Sequence, residues 1–275
     1  MQKVFLIVIC LLISWSTLKS DFLIYPENYA QINIYGNVPE MVKLLKVYIN
    51  YANTNPNNYD AQWRVSQLIS YLGEELLLEN KEEKLVSLIT LGKNCGKKAM
   101  LINPKGKEGI YWYLKNLILY NHLQDVSSIE KFVFKKIFKK MLKLKKLDPN
   151  AKYEHGAWLR LLGRYFSSVP PPPIASGDVD KGINYLVQAY GNYPEFGPNG
   201  IFLARAYLLK GNYNDALKIL TNVRSILMKK NYKIFEVKRD LKRVENLQKL
   251  VKKYKMKGTT PSVFTIVAND YYVNN

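Results

Sequence analysis

Histidine and cysteine are nearly missing, with two of each in 275 residues. His122 and His155 stand alone, and the chain has no HExxH, no paired-cysteine motif and no serine-centred nucleophile elbow. Those gaps exclude the common zinc and nucleophilic sites, so no catalytic residue, metal or cofactor is assigned and the chain reads as a non-enzyme. Cys10 lies in an N-terminal apolar run and Cys95 in "GKNCGKKAM". Removal of the N-terminus would leave one cysteine, no internal disulfide, and a fold that rests on its core. The stretch around Cys95 imitates a phosphate loop, but it has three residues between its glycines and a lysine where Ser or Thr should hold magnesium. Cys95 is therefore read as a buried thiol.

Acidic residues are also scarce, 22 against 41 basic ones, for a formal charge of +19. Long apolar runs are limited to Val4–Ile13, which follows Lys3 and precedes Ser14, Ser16, Leu18 and Ser20. That order is the layout of a secretory signal over residues 1–20, with a mature start near Thr17 or Asp21. The run falls short of the roughly 20 residues of a membrane span, and an uncleaved N-terminal anchor is the other reading of the segment. Cys10 lacks the small residues expected before a lipidated cysteine, so a lipid anchor is not expected. Loss of Lys3 and Lys19 lowers the charge from +19 to +17. Outside the cytoplasm, such a surplus would face lipid head groups, envelope polymers or acidic proteins, and nucleic acid is not an expected partner.

What the sequence does contain is a repeat. Pro56, Pro104, Pro149 and Pro194 each close an amphipathic segment, at a spacing of 45 to 48 residues, the signature of stacked helical hairpins. In "GIFLARAYLLKGNYNDALKIL" the residues Leu203, Ala204, Tyr207, Gly211, Tyr213, Ala216 and Leu220 follow the tetratricopeptide alternation. In the preceding unit Trp158, Leu161 and Tyr165 take first-helix positions, and Gly182, Leu186 and Ala189 take second-helix ones. Trp63 and Trp112 open earlier first helices, and Gly92 and Ala99 are small contact positions of a second. The expected fold is all-α: a tetratricopeptide-like α-solenoid of about ten helices in four to five hairpins over 21–228, a basic capping helix over 229–257 ending at Gly258, and a tail over 258–275 that forms a short strand or lies in a groove.

Tyr165 and Gly182 lie 17 apart where a plain repeat has 9, so "SSVPPPPIASGD" is an eight-residue insertion at a hairpin tip, and no helix runs through Pro170–Pro173. Asp178 is placed to cap the next helix and Asp180 to favour its dipole. The segment "KFVFKKIFKKMLKLKKL", 131–147, has eight lysines around an apolar stripe; it reads as a solvated helix face or as a surface for an anionic membrane or acidic partner. Successive residues on a helix point about 100° apart, so Tyr111, Trp112 and Tyr113 cannot all enter one core. They join Trp158, Arg160, Arg164, Tyr165 and Tyr207 on first helices, and Pro171, Pro172 and Asp178 at the insertion, as the candidate partner- or ligand-binding set. Arg164 suits a carboxylate of a ligand or partner, or the carbonyls of the proline loop.

Leu162-Gly163-Arg164, the proline run from Pro170, Gly177-Asp178 and Asn212-Tyr213, with "NPKGKEGIYWYLKNL" upstream, resemble the TatT family, the tetratricopeptide-like component of TRAP (tripartite ATP-independent periplasmic) transporters. The similarity spans about residues 40–230. It implies a periplasmic homo-oligomer that binds the transporter's substrate-binding protein, with a subunit cavity for a small hydrophobic or organic-acid ligand. A cell-envelope scaffold with an anion-binding lysine face is the other reading.

Overall fold

The structure, a computed structural model, describes residues 38–78, 85–123, 131–230, 235–263 and 265. The expected leader, residues 1–20, and most of the expected strand after residue 263 lie outside that set. The described residues form ten α-helices: α1 (Val38–Thr54), α2 (Tyr59–Leu78), α3 (Leu85–Ile102), α4 (Lys107–Leu123), α5 (Lys131–Leu147), α6 (Ala157–Ser168), α7 (Val179–Asn192), α8 (Gly197–Lys210), α9 (Tyr213–Met228) and α10 (Phe235–Lys257). A 3₁₀ turn, Tyr153–His155, precedes α6. Among the described residues there is no strand, and no helix is long and apolar enough to cross a membrane.

Each helix packs on the next, and α2 on α4, α6 on α8 and α8 on α10. This is the expected solenoid, with α2/α3, α4/α5, α6/α7 and α8/α9 as hairpins. Pro56, Pro104, Pro149 and Pro194 sit in the turns between hairpins, where a residue without an amide donor costs no helical hydrogen bond. Trp63 and Trp112 lie on the first helices α2 and α4, as their spacing predicts.

Small residues set how closely the helices approach. A Cβ on Gly182 of α7 would sit 2.8 Å from the Gly163 carbonyl oxygen and 2.8 Å from the Ser167 nitrogen of α6. Gly92, Gly96 and Ala99 are buried in the same way on α3, and a Cβ on Gly96 would meet the Tyr113 backbone of α4 at 2.8 Å. Gly211 turns α8 into α9 at φ 83°, a left-handed conformation that glycine adopts without a Cβ penalty. Gly258, at φ 64°, ends α10 as predicted.

The insertion folds back on itself. Gly177 N donates to Pro170 O at 2.9 Å, and Asp178 N to Phe166 O at 2.8 Å. The Asp178 carboxylate caps α7 by accepting from Lys181 N at 3.0 Å. Asp180, in the first turn, pairs with Lys210 of α8.

The last helix changes character along its length. Val244, Leu247, Leu250 and Val251 close the apolar core over α8 and α9, which is the capping role expected of it. Its first half carries Glu236, Arg239, Asp240 and Arg243 and crosses the row of first helices to reach Glu74 on α2, 165 residues away.

Candidate functional site

Four of the eight expected aromatic and arginine positions, Tyr111, Trp112, Arg160 and Arg164, converge on the groove lined by the first helices. Arg160, 4% exposed, is its hub. Its Nη1 donates to Asn199 Oδ1 at 2.9 Å, Glu154 O at 3.1 Å and His155 O at 3.2 Å, and its Nη2 donates to the Tyr111 hydroxyl at 2.9 Å. Its guanidinium also lies 4.7 Å from the Phe196 ring centroid. The carbonyls it holds belong to a turn in which Ala151, Glu154 and His155 all have positive φ, so these contacts offset backbone strain. Asp148 fixes the other side of the turn by accepting from the Lys152 and Tyr153 amides.

Tyr111 and Trp112 are buried and line the groove, while Tyr113 points to the far side beneath Lys140. The three rings therefore diverge as the helical period requires. Trp158 is core and donates its indole N–H to Asp148 O at 2.7 Å. Tyr165 stacks on Phe138 of α5, and Tyr207 packs between α8 and α9. Arg164 lies 4.1 Å over the Phe202 ring, directed to the groove rather than to the proline loop. Pro171 and Pro172 are exposed at the loop tip and belong to a separate surface.

Beneath α10 the groove narrows to a cavity of about 30 Å³, room for only about two waters. Glu74 occupies one wall. It pairs with Lys115 of α4, with Arg239 at 2.8 Å and with Arg243 at 3.7 Å, while Asp240 holds the same two arginines at 3.0 and 3.6 Å. Burial alone would raise the Glu74 carboxyl, but the three cations hold it well below the usual carboxylate range. Glu154 and Glu236 also line this cavity. Burial pushes Glu154 up to about 7 against the pull of Arg160, and burial raises Glu236 as well.

Sequence reasoning did not find these ionic residues. Glu74 and Glu75 interrupt an otherwise apolar run, "YLGEELLL", which was the available signal. Nothing local shows that its partners lie at positions 239 and 243.

The exterior carries a second feature. Helices α3 and α5 together contain eleven lysines and neither aspartate nor glutamate. Lys97 and Lys98 on α3 are exposed, as are Lys135, Lys136, Lys139, Lys143 and Lys146 on α5. Lys140 is half-buried between the two helices, 3.8 Å from Met100 Sδ. Burial lowers its pKa, and so do the charges of Lys143, Lys136 and Lys97; the two helices therefore form one electrostatic surface. Cys95 lies within α3, not in a phosphate loop; it is half-buried rather than fully buried as expected, and burial pushes its thiol up to about 11.

Compared with known proteins, residues 29–255 match the model of a family described as regulator of microtubule dynamics protein 1-3. No individual curated protein matches. The family match overturns the resemblance to the TRAP T-component, and with it the role as a transporter accessory, the substrate-binding-protein partner and the periplasmic setting. The resemblance rested on helix-packing grammar, which recurs wherever such hairpins stack and specifies no system. The chain belongs to the family of regulators of microtubule dynamics.

Proposed function

We propose that the chain is a binding protein rather than an enzyme, and that it acts on microtubules by docking the lysine surface of α3 and α5 on the acidic protein polymer. The observation that carries this reading is the surplus of eleven lysines with no carboxylate on two neighbouring helices. Such a face attracts a repetitive acidic surface over about a Debye length and loses that attraction as salt rises. A binding role is further supported by the groove, where Glu74, Lys115, Arg239, Asp240 and Arg243 are spent on one another.

Co-sedimentation with polymerised tubulin tests the proposal. The chain is expected to pellet with polymer at 50 mM salt and to be released between about 100 and 300 mM. A Lys135→Glu, Lys139→Glu, Lys143→Glu variant is expected to stay in the supernatant with unchanged helicity. Pelleting that is indifferent to salt and to the triple substitution, or no pelleting at low salt, would overturn it.

A further inference from the structure

Arg164 is built into the groove and spends none of its side-chain donors there. It stands one turn after Arg160 on α6, is half-buried, and lines the cavity. Its guanidinium lies over the Phe202 ring of α8, 4.1 Å from the centroid. Among the described residues its side chain donates no hydrogen bond, and no carboxylate stands within 4.0 Å of it. A contact through the face of the cation leaves its in-plane N–H fork open, and that edge is the one that matches a carboxylate. The ring also holds the fork in place, so little freedom is lost when an anion arrives.

The charges around Arg164 are disposed differently. Arg239 reaches Glu74 at 2.8 Å and Asp240 at 3.0 Å, and Lys115 pairs with Glu74. Arg243 stands 3.7 Å from Glu74 and 3.6 Å from Asp240. Arg160 is bound to carbonyls, Asn199 and Tyr111. These five cations line the cavity against three carboxylates, Glu74, Glu154 and Glu236. Asp240 adds one negative charge, and Arg205 of α8, 4.8 Å from the same Phe202 centroid, adds one positive charge, so the surplus stays positive. A surplus in a partly desolvated groove attracts an anion more strongly than the same charges in open water. The space is narrow: the cavity of about 30 Å³ takes the equivalent of about two waters, enough for the head of one carboxylate and not for a folded surface. Phe196 and Pro198 supply an apolar floor for the stem behind that head.

We propose that Arg164 takes a glutamate or aspartate side chain from an extended acidic segment of the partner polymer, a contact separate from the lysine surface of α3 and α5. The proposal rests on the microtubule reading for the source of the segment, and on Arg164 and its groove for the chemistry. The lysine surface acts by charge at a distance, whereas Arg164 binds one carboxylate through two parallel hydrogen bonds.

Fluorescence anisotropy of a labelled Gly-Glu-Glu-Gly-Glu-Glu-Gly peptide, titrated with the full chain at about 50 mM salt, separates the two surfaces. The Lys135→Glu, Lys139→Glu, Lys143→Glu chain lacks the competing lysine face and is expected to keep binding this peptide, and to ignore a counterpart with glutamine at every glutamate. In that background Arg164→Gln is expected to weaken binding about tenfold or more, the loss of a bidentate charged pair. Arg164→Lys keeps the charge without the fork and is expected to weaken it at least about threefold. Circular dichroism is expected to be unchanged in each, and if the glutamine variant does not fold, the lysine variant decides. Peptide binding that vanishes in the triple variant, or that both Arg164 substitutions leave unchanged, would overturn this proposal and leave the lysine docking standing. Intact peptide binding in a chain that does not pellet with polymer would overturn the lysine docking, and with it the polymer as the source of the segment.

Discussion

Arg160 donates from two nitrogens to four residues on three elements, and a lysine could not do so, because an ammonium is a point donor without the planar fork. Arg160→Lys keeps the charge but leaves carbonyls of a strained turn unsatisfied, so it is expected to cost about 3 kcal/mol, read as a lower midpoint in urea with unchanged slope. A cost under about 1 kcal/mol would mean that the turn holds itself. The sequence shows little of this arrangement. Arg160 sits in "WLRLLGR" like any first-helix arginine, and its partners Tyr111 and Asn199 lie 49 and 39 residues away. Cys95 and Asp178 were readable because a helix interior and an N-cap are decided by neighbours in the chain.

Between elements, the α6/α7 seam shows how a single methyl group is felt. Gly182 was legible as a small contact position from its register against Leu186 and Ala189, and the structure gives the reason: backbone atoms of α6 stand where a Cβ would be. Gly182→Ala is expected to cost about 2 kcal/mol by overpacking, because backbone cannot rotate away as a side chain can. Thermal unfolding checks this, with a lower midpoint expected for Gly182→Ala and none for Gly191→Ala, whose added Cβ meets nothing within 4 Å. The lysines of α5 were equally plain, since composition within one helix is a local fact. Their union with α3 was not, because it depends on Lys140 reaching Met100 across the groove between two helices. The dual nature of α10 was half legible: the apolar register announced a cap, and the charged first half gave no sign of its distant partner.

At the scale of the molecule, the repeat period carried the architecture while the assignment to a transporter failed. Helix spacing encodes how hairpins stack, and the same stacking serves unrelated systems. The microtubule reading sets a further condition, that the domain meets the polymer. A cleaved export signal over residues 1–20 would carry it elsewhere. N-terminal sequencing of the native protein decides this condition: Met1 on the chain keeps the microtubule proposal, and a start near Thr17 or Asp21 removes the chain from the polymer's compartment.

The tie from Arg239 to Glu74 joins parts of the chain that an open solenoid keeps apart. An open stack of hairpins stretches like a spring, each unit yielding a little to its neighbour. This one is a spring with a clasp. Pulled from its two ends, it stays stiff until the ionic contacts of α10 give way and then extends softly, hairpin by hairpin, so that load would be registered first at the clasp.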